Sequence, residues 1–371
     1  MRLYALPRWV GSEIVHLCQT ARMRALTVLP GHADSAQLTD MPEPPEADGP
    51  ILVQTLGVGV CGTDIEICHG DYGTAPAGSE RLVIGHESLG RVMSAPAGSG
   101  FSEGDLVVGI VRRPDEEPCA NCAVGEWDMC RNGQYTERGI KGRHGYASER
   151  YRIRPEFAVK IDPKLSSVGM LLEPTSVVAK AWEHVERIGQ RAVWKPSVVV
   201  VTGAGPIGLL AALLGRQRGH EVHVFDRATD GPKPQLVTDL GATYHTDDMA
   251  TVVGRADVVI ECTGASALIA GLLGTTPADG IVCLTGVSSG GHNISIDAGW
   301  VNRELVLDNG VIFGSVNANR RHYEAAAVAM AAADHSWLER LITRRVPIAS
   351  WADALVRQPN DVKTILEFAS A

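Results

Sequence analysis

The sequence predicts an α/β protein: a doubly wound parallel sheet joined to a second, β-rich domain. Three observations predict it. An unbroken valine run, Val198-Val199-Val200-Val201, leads into the glycine turn Gly203-Ala204-Gly205-Pro206-Ile207-Gly208. From there, strand-like and helix-like segments alternate, as a parallel sheet with crossover helices requires. Ahead of it, residues 23–161 hold short β-prone runs broken by glycine and proline, the habit of a mostly antiparallel domain.

The central stretch comes first because the others are arranged around it. Four consecutive valines suit a strand covered on both faces. Gly203 permits a tight turn, Gly205 lets the backbone approach a pyrophosphate, and Gly208 lets helix and strand pack closely. The helix expected over 206–218, opened by Pro206 and Ile207, turns free N–H groups and a positive dipole end toward that phosphate. A second strand, Glu221–Phe225, ends at Asp226. An acid about 20 residues past such a motif accepts hydrogen bonds from the ribose hydroxyls of NAD. Arg227 follows directly and can stack on adenine or offset repulsion of a 2′-phosphate. The expected cofactor is therefore NAD, with NADP use open.

At 371 residues the chain exceeds what one core usually serves, so two domains are expected. The net charge is −9, from 34 basic and 43 acidic residues, with no basic stripe interleaved with aromatics. That argues against nucleic acid as a partner. No apolar stretch reaches the length of a membrane span. The first 22 residues lack the layout of a secretory signal, so a cytoplasmic setting is expected and disulfides among the eight cysteines are not. Residues 1–22 read as an extension, and the first strand is expected from Met23.

In chain order, strands are expected at 51–56, 83–84, 90–92 and 106–110, after a proline-rich connector at 41–45. Residues 112–145 show little periodicity and read as a functional lobe. Strand character returns at 147–161. A helix over 165–188 passes toward the parallel sheet. Further strands are expected at 257–261, 281–284 and 311–313, with helices at 265–273 and 323–333. The tail, 365–368, is apolar enough to return as a strand to the first domain.

Two constellations carry chemistry. Cys61 lies on the turn Gly59-Val60-Cys61-Gly62-Thr63-Asp64, His86 and Glu87 follow in Gly85-His86-Glu87, and Glu173 precedes Pro174. Thiolate, imidazole and carboxylate are the donors of a catalytic zinc, which keeps one position open. Zinc lowers the pKa of a hydroxyl that it binds, so the hydroxyl carbon can pass a hydride to nicotinamide. Thr63 is placed to take the proton, and either Glu87 or Glu173 serves as the carboxylate ligand. The second constellation is Cys119, Cys122 and Cys130, at the spacing of a structural zinc. That site needs four ligands, and Glu116 or Asp115 is the expected fourth.

Together these motifs make the chain resemble the zinc-dependent medium-chain dehydrogenase/reductase family from Met23 onward. The resemblance implies a GroES-like catalytic domain over 23–183 and 320–371, and a Rossmann domain over 184–319. Within that family the chain is similar to the archaeal-type glucose dehydrogenases, on four stretches. They are Val111-Arg112-Arg113-Pro114, residues 137–146 (Glu-Arg-Gly-Ile-Lys-Gly-Arg-His-Gly-Tyr), Leu172-Glu173-Pro174, and Gly314-Ser315-Val316-Asn317. The resemblance implies that Glu137 and Asn317 contact the sugar, that Asn317 also lies against the cofactor, and that Glu173 lies at the catalytic zinc. It further implies a homodimer or homotetramer. The chain departs from the pattern at three positions: Glu116 replaces the first cysteine of the lobe, Val177 an acid, and Leu307 a histidine. The expected activity is oxidation of a sugar or alcohol hydroxyl, with glucose as the named substrate. Dehydrogenation of alcohols, polyols or amino alcohols is the alternative, and a non-catalytic NAD-binding redox sensor is a third reading.

Overall fold

The valine strand, Val198–Thr202, is buried along its whole length and lies inside a six-stranded, all-parallel sheet. In this computed structural model, which describes residues 22–275, 277–288 and 293–369, the strand order is Thr243–His245, Glu221–Phe225, Val198–Thr202, Val258–Glu261, Ile281–Leu284 and Val311–Gly314. The order reverses between Val198–Thr202 and Val258–Glu261. A crevice at the carboxyl ends of those strands is where such sheets bind ligands.

A second, seven-stranded sheet holds Glu87 and ends at the turns that carry Cys61 and His86. Ile51–Val60 lies inside it, antiparallel to Glu87–Ser94 on one side and to Lys363–Glu367 on the other. Ile365 faces Gly59, so the carboxyl-terminal strand returns beside the turn that carries Cys61. The two sheets share one apolar core: Val53, Leu89 and Val92 belong to the same buried cluster as Val199, Leu209 and Trp182. The bridge is the helix Leu172–Gly189, with Trp182 donating from its indole to the Ala211 carbonyl at 3.4 Å.

The structure corrects several expectations. Arg22 opens the first strand, Arg22–Val28, so it is not part of an extension, and the rest of that extension lies outside the described residues. The bridging helix begins at Leu172 rather than 165, after two short 3-10 turns, Pro163–Leu165 and Gly169–Leu171. A side chain on Gly169 would press into Leu89, 2.7 Å away, so the segment is flattened against the sheet before the helix can start. Pro232–Asp239 and Ala298–Leu307 are helices that periodicity does not reveal. The first has prolines at 232 and 234, which a first helical turn tolerates. The second buries none of its residues. Among the described residues no helix is long and apolar enough to cross a membrane.

Candidate active site and metal clusters

Cys61 follows the strand Ile51–Val60 in an extended conformation and caps the helix Gly62–Cys68. Asp64 closes the cap: its Oδ2 accepts from the Cys61 N–H at 3.0 Å, while the Thr63 N–H donates to the Cys61 sulfur at 3.3 Å. The other Asp64 oxygen accepts from the Gly85 N–H at 3.2 Å and lies 3.4 Å from His86 Nδ1. One buried carboxylate thus ties the Cys61 turn to the His86 turn. It aims the far imidazole nitrogen, Nε2, to 3.1 Å from the Cys61 sulfur. Burial opposes ionisation of Asp64, but His86 and the Cys61 N–H outweigh it and hold the carboxyl below its usual range.

Ligand atoms of Cys61, His86 and Glu87 lie within 4.8 Å of one another. Glu87 fits there because residue 59 is glycine, whose missing side chain leaves room for the Glu87 carboxylate. Lys363 neutralises it, with Nζ 2.6 Å from both oxygens and 3.2 Å from the Val60 carbonyl. Glu173 is buried in the first turn of the bridging helix, outside that three-residue group. Burial pushes its carboxyl up to about 7, and the negative charge of Glu87 adds to the rise. A thiol, an imidazole nitrogen turned toward it and a buried carboxylate are a donor set that fits zinc.

The glycine turn has the expected conformation. Gly203 has φ +87°, and a side chain there would meet Thr263 at 2.8 Å. A side chain on Gly208 would run into the Gly203 carbonyl. A side chain on Gly205 would meet no atom within 4 Å, so that backbone faces open space. Pro206 and Ile207 open the helix Pro206–Gln217. Asp226 accepts from the Ala204 N–H at 2.7 Å and the Ala228 N–H at 2.9 Å, and Lys233 Nζ lies 3.1 and 3.2 Å from its two oxygens. Arg227 is exposed. The opposite wall of the crevice is stiffened by Glu261, fully buried, which accepts from the Thr263 N–H at 2.6 Å, the Gly264 N–H at 3.1 Å and the Thr202 hydroxyl at 3.3 Å.

Glu137 and Asn317, far apart in sequence, meet: the Asn317 amide donates to Glu137 Oε1 at 2.8 Å. Arg112 also holds that oxygen, at 2.9 and 3.0 Å. Asn317 sits at φ +63°, an unusual conformation for a residue with a side chain. Its neighbour Val316 is anchored by Lys180, whose Nζ donates to the Val316 carbonyl at 3.0 Å and pairs with Asp128 at 2.8 Å. Val177 is half-buried on the bridging helix, whereas Leu307 is 62% exposed at the end of its own helix.

Sulfur atoms of Cys119, Cys122 and Cys130 lie within 4.8 Å of one another. The Arg131 N–H, 3.4 Å from the Cys119 sulfur, leads the contacts that lower that thiol to about 6, whereas burial pushes Cys122 up to about 12. Glu116 is exposed and outside the cluster. Asp115 is half-buried, and its Oδ1 has no partner. Its Oδ2 accepts from Asn132, whose own oxygen takes the Cys130 thiol at 2.9 Å. Of the two acids, the structure links Asp115 to the cysteines.

Sequence reasoning missed Asp64, Lys363, Lys180, Asp128 and Glu261. Asp64 had a signal, since Cys61-x-x-Asp64 has capping-box spacing. Lys363 had none, lying 276 residues from Glu87.

Comparison with known proteins shows the family. Residues 166–368 match the family described as "Glucose dehydrogenase C-terminus", and residues 47–163 match "Alcohol dehydrogenase GroES-like domain". The chain is 40% identical to glucose 1-dehydrogenase of Methanocella arvoryzae, over 94% of this chain and 100% of that protein. It is 39% identical to glucose 1-dehydrogenase of Thermoproteus tenax, over 93% and 99%. Among solved structures, Haloferax mediterranei glucose dehydrogenase in complex with NADP, Zn and gluconolactone matches with a TM-score of 0.86 and 34% identity, covering 94% of this chain and 100% of that one.

Proposed function

The chain belongs to the zinc-dependent medium-chain dehydrogenase/reductase family, in the branch of the glucose dehydrogenases, and from that footing we propose that it oxidises the C1 hydroxyl of an aldose, glucose first, with NAD(P)+ as hydride acceptor. The product is the lactone, formed as the C1 hydride passes to nicotinamide and the hydroxyl proton leaves. The observation that carries this reading is the convergence of Cys61, His86 and Glu87 within 4.8 Å on a chain that also presents an open glycine turn.

In this reading Cys61, His86 and a carboxylate, Glu173 or Glu87, hold the metal. When bound, zinc lowers the pKa of the substrate hydroxyl. The protein's own groups do the rest. Thr63, two residues past Cys61, takes the hydroxyl proton toward solvent. Glu137 and Asn317 hold sugar hydroxyls, and Asn317 also borders the nicotinamide. Gly203, Gly205, Pro206, Ile207 and Gly208 seat the pyrophosphate, Asp226 takes the ribose, and Arg227 covers the adenine. Cys119, Cys122 and Cys130 hold a second, structural zinc, with Asp115 favoured over Glu116 as the fourth ligand. The domain division 23–183 with 320–371, and 184–319, goes with this reading. Trp300, Val306 and Leu307, each more than half exposed on one helix, support assembly into a homodimer or homotetramer. The free cysteines suit the cytoplasm.

The test is reduction of NAD+ and NADP+ by purified protein with D-glucose beside other aldoses, polyols and simple alcohols, repeated after chelation and after return of zinc. Glucose oxidation lost on chelation and restored by zinc is the expected result. Zinc-dependent turnover of polyols or simple alcohols alone would overturn the sugar assignment while keeping the chemistry. That alternative is favoured by Val177, which offers no hydrogen bond where related sites carry an acid.

A further inference from the structure

Asp226 is not a free carboxylate waiting for a ribose. A carboxylate offers about four acceptor positions. Here the Ala204 and Ala228 N–H groups take two of them, and Lys233 Nζ reaches both oxygens, at 3.1 and 3.2 Å. Neither side chain is loosely solvated: Asp226 is 13% exposed and Lys233 15%. Lys233 comes from the first turn of Pro232–Asp239, between Pro232 and Pro234. The prolines fix the backbone from which its side chain returns toward the end of Glu221–Phe225. Burial alone would raise the Asp226 carboxyl, but its two N–H bonds and Lys233 keep it below the usual range, so the acid stays ionised and its charge is balanced by the lysine.

The two amide bonds belong to the turn itself and persist as long as the turn does. A ribose 2′-hydroxyl can donate to Asp226 only at a position that Lys233 now fills, so NAD+ must displace the ammonium. A 2′-phosphate has the opposite effect. It is repelled by an unpaired Asp226, but it offers Lys233 a more highly charged partner than the carboxylate. A lysine suits such a change because it carries a compact charge with three donors on a flexible stem. Exposed Arg227, next to Asp226, adds a second cation on the same side.

We propose that Lys233 sets the cofactor choice of this protein. Paired with Asp226 it cancels the acid's discrimination against a 2′-phosphate, and on binding NADP+ it moves from the carboxylate to that phosphate, with Arg227 beside it. With NAD+ it yields Asp226 to the ribose. The chain therefore accepts both nucleotides despite carrying the acid that normally selects NAD. This rests on the nucleotide-binding reading above and is independent of the sugar.

The test is calorimetric titration of the full chain with NAD+ and, separately, with NADP+, without sugar, so that no turnover enters the readout. Wild type binds both. Lys233→Met lowers NADP+ affinity about tenfold or more, the scale of a lost charge-assisted contact, and leaves NAD+ affinity unchanged or tighter. Lys233→Arg keeps the NADP+ affinity, which separates loss of charge from damage to the fold. Asp226→Asn moves the ratio the other way, toward NADP+. Equal weakening of both nucleotides by Lys233→Met, or no change in their ratio, overturns the proposal. Wild-type protein that binds neither nucleotide overturns the dehydrogenase reading itself.

Discussion

The two candidate metal clusters use the same chemistry of thiolates, yet they are built in opposite ways. Around Cys61 and His86 the donors are set by a buried polar network of the protein's own groups. Asp64 bonds to both turns, and Lys363 grips Glu87. Around Cys119, Cys122 and Cys130 the supports are a backbone N–H and the exposed Asn132, and among the described residues no fourth carboxylate, imidazole or thiol joins the three sulfurs within 4.8 Å. A catalytic site must keep one position open, so other groups must hold its ligands in place. A structural site is closed by its metal, so the metal does the holding. The first should tolerate loss of metal as a fold, and the second should not.

Matched substitutions break or sharpen this contrast. The largest effect is expected at the first cluster. Cys61→Ser lowers kcat by about a thousandfold, the equivalent of several kcal/mol of transition-state stabilisation, with a thermal midpoint close to wild type. Cys122→Ser in the lobe does the reverse: the midpoint falls and one zinc per chain is lost, while turnover per remaining zinc is kept. If both variants lose activity and stability in parallel, the contrast fails.

The next effect concerns what anchors the lobe. Asp128 and Lys180 are 0% and 2% exposed and 2.8 Å apart, joining the lobe to the bridging helix. Removing one partner of such a pair strands the other charge, at a cost of about 3–5 kcal/mol. Lys180→Met is expected to destabilise the chain by that amount in chemical denaturation. An unchanged midpoint would mean that the lobe is held by its metal alone. Asp64→Asn comes third. Loss of the carboxylate that orients His86 lowers catalytic-metal affinity about 10–100-fold, visible in competition with a chelator, and excess zinc restores turnover. If activity is not restored by zinc, Asp64 acts beyond orientation.

These residues also show what was legible beforehand. The glycine turn and its acid are local patterns, so the positions of Gly203, Gly205, Gly208 and Asp226 between strand and helix could be read from spacing alone. Cys61 and His86 were readable because a thiol, an imidazole and carboxylates together are the donor set of a catalytic zinc. The network that supports them was not, because Lys363 reaches Glu87 only after the carboxyl-terminal strand pairs beside Gly59. Spacing could not separate Glu116 from Asp115, because it ranks residues only by distance along the chain. In the fold that side chain points to solvent, while Asp115, one residue earlier, is linked to Cys130 through Asn132. The helix that returns Lys233 toward Asp226, Pro232–Asp239, has no periodicity that would announce it.

The smallest expected effect is a titration at the base of the lobe. His322 is 1% exposed and belongs to the same web as Asp128, through Asn319, whose amide donates to Asp128 at 2.7 Å. Its Nδ1 accepts from the Asn319 N–H at 3.1 Å, which needs an unprotonated nitrogen. Its Nε2 lies 3.1 Å from Glu183, a contact that favours a charged ring, but Glu183 is already held by Arg321 at 3.0 and 3.1 Å. Burial decides the balance and lowers His322 to about 4, with Arg321 adding to the fall. The unfolded histidine titrates near 6.5. Above that pH both states are neutral and stability is fully present. As pH drops from about 6.5 toward 4, the unfolded chain takes a proton that the folded chain refuses, so stability is lost, by about 3 kcal/mol in all. His322→Asn keeps an acceptor for the cap and removes the titration, so its denaturation midpoint changes less between pH 7.5 and 5 than that of wild type. An identical slope in both proteins would place the acid sensitivity elsewhere and leave the anchor of the lobe as indifferent to pH as its apolar core.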